Sequence, residues 1–163
     1  EAYAKGERYR ERFHVGGSYH PATNPIGRLG EEVDYIGDFA SAGDGDNFAD
    51  VNAGSSLSSG TLRIRSTGSN GHSSIGISVV PNTNYTLTYL NDPADSANSG
   101  HALHIGTTVN AYDIARLVVS ISDDNTTQSE TFDSGNNNYL YVSWQITTNG
   151  RFAFIDNISF KES

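Results

Sequence analysis

The chain has no cysteine and no methionine, and among its 163 residues only four prolines and one tryptophan. Without cysteine it has neither a disulfide framework nor thiolate chemistry, which suits assembly in a reducing compartment and leaves secretion open. Without methionine, Glu1 is expected to follow a processing event or an upstream segment. Eighteen consecutive apolar residues occur nowhere, and the first residues lack the charged-then-apolar order of a signal peptide, so no membrane partner is predicted. Basic side chains are scarce as well: ten Lys and Arg stand against nineteen Asp and Glu, for a net charge of -9. A duplex nucleic acid partner is therefore not expected, because phosphate neutralisation needs clustered cations. No window sustains an apolar 3.6-residue period over a dozen positions, which removes the helical fold classes.

What is abundant is turn chemistry. Seventeen glycines, with many Ser, Thr, Asn and Asp, predict short strands joined by tight turns around one core. Five of the basic residues, Lys5, Arg8, Arg10, Arg12 and Arg28, fall in the first 28 positions, whereas residues 37–163 hold thirteen acids against five bases. The chain is accordingly divided into an arm and linker, 1–36, and a body, 37–163. In the arm Tyr9, Phe13 and Val15 alternate with Arg8, Arg10, Arg12 and His14, the pattern of an amphipathic strand. It reads either as the first strand of the body or as a segment that docks on a neighbouring chain. Residues 16–37 carry Pro21 and Pro25 and read as an extended connection.

From residue 38 the strands expected are Asp46 to Val51, Thr61 to Ser66, Ser74 to Val79, Tyr85 to Leu90, Ala102 to Ile105, Ala115 to Ile121, Ser129 to Phe132, Tyr139 to Thr147 and Arg151 to Phe160. Turn clusters separate them at Gly68 to Gly71, Pro81 to Asn84, Asn91 to Pro93 and Gly135 to Asn138. Nine short strands so spaced predict an all-β, two-sheet antiparallel jelly-roll β-sandwich with an extended N-terminal arm. The last strand contains an irregularity. Strict alternation would set Phe154, Asp156, Ile158 and Phe160 on one face, which would bury Asp156 at high cost, so either a bulge at Asp156 and Asn157 or a bound cation is expected.

The phrase Ile155-Asp156-Asn157-Ile158-Ser159-Phe160 resembles the closing strand of jelly-roll carbohydrate-binding modules, and the ending also resembles that of bacteriophage virion proteins carrying such a module. Ser59 to Ile64, Val80 to Tyr89, Ser129 to Phe132 and Tyr139 to Val142 follow in the order of those modules, so the resemblance spans roughly residues 45–162. It implies a non-catalytic virion structural or adhesion component, such as a capsid decoration, head-fibre or tail protein, with weak glycan binding and a place on the virion surface. Its partners would be neighbouring copies or other virion proteins, reached through the arm residues Arg8, Tyr9, Arg10, Arg12, Phe13 and Val15, and a cell-surface glycan. The alternatives are a carbohydrate-binding module of a secreted polysaccharide-degrading enzyme and a self-assembling filament subunit.

Catalytic signatures are missing: no Gly-x-Ser-x-Gly elbow, His-Glu-x-x-His pair or phosphate loop occurs, and the Asp residues sit in turn-forming surroundings. His101 and His104, three apart on a strand, face opposite sides and make a poor metal pair. The cofactor expectation is none, or one structural Ca2+ of the kind the resemblance implies near the terminal strand, with Asp156 and Asp46 as its oxygen ligands. For sugar recognition, alternation in Tyr139 to Ile146 sends Leu140, Val142, Trp144 and Ile146 to the core and leaves Tyr141 and Gln145 on the other face. The same logic turns Thr88, His104 and Arg116 outward. If these strands share a sheet, Thr88, His104, Arg116, Tyr141 and Gln145 line the concave face that binds sugar in the modules this chain resembles; otherwise they form an ordinary solvated face.

Overall fold

Asparagine sets many of the turns. The computed structural model describes residues 48–58, 60–92, 100–120 and 125–163. Among the described residues every non-glycine with a left-handed backbone is an asparagine: Asn52, Asn70, Asn82, Asn110, Asn125 and Asn157. Asn tolerates this region because its short polar side chain bonds locally. The arm residues Arg8, Tyr9, Arg10, Arg12, Phe13 and Val15, and Asp46, lie outside the described residues.

Ten strands follow in order: β1 Ala49–Val51, β2 Ala53–Ser58, β3 Thr61–Ser66, β4 His72–Ser78, β5 Asn84–Asn91, β6 His101–Gly106, β7 Ala115–Val119, β8 Thr126–Asp133, β9 Tyr139–Ile146 and β10 Phe152–Glu162. They form two five-stranded sheets, β1-β4-β9-β6-β7 and β2-β3-β10-β5-β8, antiparallel throughout. The jelly-roll β-sandwich is thus the observed fold. β2, Ala-Gly-Ser-Ser-Leu-Ser, was not among the expected strands because it carries almost no apolar alternation. It forms by pairing along β3, from Ala53 opposite Ser66 to Ser58 opposite Thr61.

The core fills the space between the sheets. Trp144, Tyr85, Tyr89, Phe160, Leu62, Ile64 and Leu103 are among the side chains fully buried there. Trp144 meets Phe48 at 5.8 Å and stands edge-on to Tyr89 at 5.7 Å, while Tyr85 stacks on Phe160 at 4.7 Å. Aromatic pairs at such spacings add to the burial energy.

The irregularity in β10 is a bulge. The register against β5 shifts between Asp156 and Ser159, with Asn157 at φ 50° and its amide donating to Asp156 Oδ1 at 2.7 Å. The extra residue lets Ile155 and Ile158 both reach the core, although they are three apart. Phe154 and Asp156 remain on the outer side, and Phe160 is returned to the inside.

Candidate functional site

The outer face of the sheet β1-β4-β9-β6-β7 is crossed by rows of paired residues. In one row Ser74 lies opposite Ser143, Ser143 opposite His104 and His104 opposite Arg116. In the next, His72 faces Gln145, and on the other side Gly76 and Gly106 flank Tyr141. Alternation within β9 produces this division: Leu140, Val142, Trp144 and Ile146 are buried in the core, so Tyr139, Tyr141, Ser143 and Gln145 point the other way.

The two glycines shape the surface. A Cβ on Gly76 would collide with the Tyr139 hydroxyl, and one on Gly106 with the Ala111 carbonyl and the Asp113 carboxylate. Tyr139 can therefore lie across β4, packed edge-on to Tyr141 with ring centroids 5.4 Å apart. At the other position the chain between β6 and β7 folds back over the sheet. Asp113 closes that loop by accepting from the Thr107 amide at 2.9 Å and its hydroxyl at 2.6 Å. These bonds hold its carboxyl below the usual carboxylate range.

Asn110, at φ 60°, is the key of the loop. Its amide donates to Ser143 Oγ at 3.0 Å, and its Nδ2 donates to Gln145 Oε1 at 2.7 Å. His104 Nδ1 lies 3.0 Å from Asn110 Oδ1, and Arg116 Nε donates to His104 Nε2 at 3.2 Å. Since Nε2 accepts, the ring is neutral and Nδ1 carries the proton that Asn110 receives. Burial is the main cause that lowers the His104 pKa, the Asn110 bonds oppose it, and the Arg116 charge adds to the lowering. Tyr112 covers His104 with centroids 4.9 Å apart, and the Arg116 guanidinium lies 5.3 Å from the Tyr112 ring centre.

The five residues expected to line one groove do not all meet. His104, Arg116, Tyr141 and Gln145 share this face, but Thr88 is in β5 of the opposite sheet, opposite Ser129 on one side and Ser159 on the other. Alternation specifies which side of a strand a residue occupies and says nothing of which sheet that strand joins. His104 has the expected parity yet is only 2% exposed, because the loop from Thr107 to Ile114 covers it; its part is to seat the loop. Gln145 likewise gives its carbonyl to Asn110. The groups left open are Tyr112, 60% exposed, Tyr139, 45% exposed, Arg116, and the half-buried Tyr141. Tyr112, Tyr139 and Asn110 were not singled out from the sequence. Tyr139 shares parity with Tyr141, and an aromatic in a polar loop such as Tyr112 is itself a recognition signal.

No family model matches the sequence, and no curated relative matches it. Solved structures do. The fold is that of carbohydrate-binding modules. A family 4 module is 14% identical with TM-score 0.58, covering 78% of this chain and 97% of its own. A ligand-free carbohydrate-binding module of BiXyn10A is 15% identical with TM-score 0.57, covering 82% of this chain and 100% of its own. The family 6 module of Cellvibrio mixtus lichenase 5A, in complex with cellotriose, is 11% identical with TM-score 0.51, covering 73% and 94%.

Within this fold the described residues do not assemble a metal centre: no group of three His, Asp or Glu converges among them. Asp156, expected as a calcium ligand, holds the bulge amide of Asn157. That bond gives the acidic residue of β10 a part in the bulge. His101 and His104 do face opposite sides, His101 inward against Tyr89, whose hydroxyl is 2.8 Å from its Nε2.

Proposed function

We propose that the protein is a carbohydrate-binding module that carries no catalysis of its own and holds a polysaccharide chain on the outer face of the sheet β1-β4-β9-β6-β7. The observation that carries this is the pair Tyr139 and Tyr141, with Tyr139 lying over the bare backbone of Gly76, on a fold shared with modules complexed with cellotriose and cellohexaose. Aromatic rings supply the flat apolar surface that matches a pyranose face. Arg116 and the Tyr112 hydroxyl supply polar groups at the loop side of the same surface. A secreted setting, where polysaccharide is met, suits this reading.

A second reading keeps the same face and sets it on a virion, with the arm 1–36 contacting a neighbouring copy or another particle protein. It is carried by the ending Asn157 to Glu162 and by the stripe Arg8, Arg10 and Arg12 in a chain whose body is acidic. Light scattering of the purified chain separates the two, since a detached module is monomeric and a virion or filament subunit assembles.

The binding test is titration of neutral polysaccharides, β-glucans and xylans first, against the full chain and Tyr139→Ala and Tyr141→Ala. Each substitution removes one stacking surface and no core contact, so binding is expected to fall about tenfold while the melting curve holds. Unchanged binding in the double variant would refute the assignment of the face.

A further inference from the structure

The opposite side of the sandwich carries its own cluster. On the outer face of β2-β3-β10-β5-β8, Arg63 and Arg65 of β3 stand opposite Phe154 and Phe152 of β10. Both guanidiniums lie over one ring: the Arg63 carbon is 4.1 Å from the Phe152 centre and the Arg65 carbon 5.6 Å. Phe152 in turn packs on Phe154, which is 3% exposed although it faces outward. Toward the sheet edge, Gly54 pairs with Arg65 and Ser56 with Arg63. Both are exposed, and a Cβ on Gly54 would meet nothing within 4 Å, so no described residue fills the shelf beside the arginines.

An arginine on an acidic protein ordinarily finds a carboxylate. Among the described residues no carboxylate pairs with Arg63 or Arg65, and both guanidiniums approach the Phe152 ring. The next outward carboxylate along β10, Asp156, is engaged with Asn157. Two forked sets of N–H donors, on the half-buried Arg63 and the exposed Arg65, are therefore gathered at one aromatic ring in a chain of net charge -9. A guanidinium placed against an aromatic ring has less side-chain freedom to lose on binding and still offers its forked donors, which favours an anion that accepts two parallel bonds. The overall negative charge does not prevent this, since at physiological salt it is screened beyond about 8 Å and the local arginines dominate.

We propose that this shelf is a second binding site, specific for the carboxylate-bearing sugars of an acidic polysaccharide, with Arg63 and Arg65 gripping the carboxylate and the Phe152 and Gly54 surface accommodating the ring. The sugar part of the ligand rests on the glycan-binding reading above; the anionic part rests on the arginines alone. The two binding faces are on opposite sheets, so one molecule can engage a neutral chain and an acidic chain together.

The test titrates polygalacturonate, a neutral β-glucan and poly-glutamate against the full chain at about 50 mM and 200 mM salt, and repeats this with Arg63→Ala/Arg65→Ala and Arg63→Gln/Arg65→Gln. Both double variants should lose polygalacturonate binding about tenfold or more and keep any neutral-glucan binding, and the affinity for polygalacturonate should fall with salt. The glutamine pair retains side-chain length and serves if the alanine pair is unstable. Absence of polygalacturonate binding by the full chain at the lower salt would overturn the proposal, as would binding that survives both double variants. Equal, arginine-dependent binding of poly-glutamate would overturn it in favour of an acidic peptide. Loss of neutral binding in Tyr141→Ala bears on the first face alone, so the two readings fail separately.

Discussion

His101 ought to make the fold acid-sensitive in a range where most carboxylates are still ionised. It is 1% exposed, its Nε2 is bonded to the Tyr89 hydroxyl, and its Nδ1 is buried without a partner. Burial pushes its pKa down from 6.5 to about 4, because the imidazolium would have to exist among apolar neighbours. In the unfolded chain the same ring protonates near 6.5, so below that pH the unfolded state binds more protons and stability falls. Its contribution is complete above about pH 6.5 and declines as the pH drops toward the folded value. At about 1.4 kcal/mol per pH unit, the 1.5 units between pH 6.5 and 5 correspond to a loss of about 2 kcal/mol. Urea unfolding at pH 7.5, 6 and 5 measures the slope. His104, whose pKa is also lowered, contributes in the same direction, so His101→Gln is needed for the difference: that variant should lose about 2 kcal/mol less over the interval. An imidazole resonance of His101 titrating near 6.5 in the folded protein, or an unchanged slope in His101→Gln, would refute the reasoning.

Two further outcomes are expected from the core and the bulge. Trp144→Ala should destabilise the domain by about 3 to 5 kcal/mol, measured by denaturant unfolding, because it empties a fully buried site between Phe48 and Tyr89. Asn157→Ala should cost about 1 kcal/mol and Asn157→Gly much less, since the bulge requires a left-handed residue; equal melting of the two variants would contradict a role for backbone conformation there.

The strands that sequence made legible are those whose alternation has one apolar side. In β9 the four core residues and the tyrosine face could be separated by period alone, and β3 was expected with the observed bounds, Thr61–Ser66. The β10 bulge was legible from the cost of a buried Asp156. What stayed hidden depends on long-range pairing. β2 exists because β3 offers it an edge, and nothing in Ala-Gly-Ser-Ser-Leu-Ser announces a strand. Thr88 has the alternation of an outward residue in either sheet, and only the order β2-β3-β10-β5-β8 removes it from the tyrosine face. The burial of His104 was equally invisible, because it comes from a loop whose asparagine reaches two neighbouring strands.

The position of β10 has a consequence for how the molecule is made. It lies between β3 and β5, yet it follows all other strands in the chain. Until residues 152–162 have emerged from the ribosome, β3 and β5 have no common neighbour and their edges stay unsatisfied. Folding of this sheet therefore requires this segment to insert between partners that precede it by many residues, a non-local pairing. A nascent or prematurely terminated chain would present two open strand edges to its neighbours, and it would be a substrate for chaperones or a seed for aggregation.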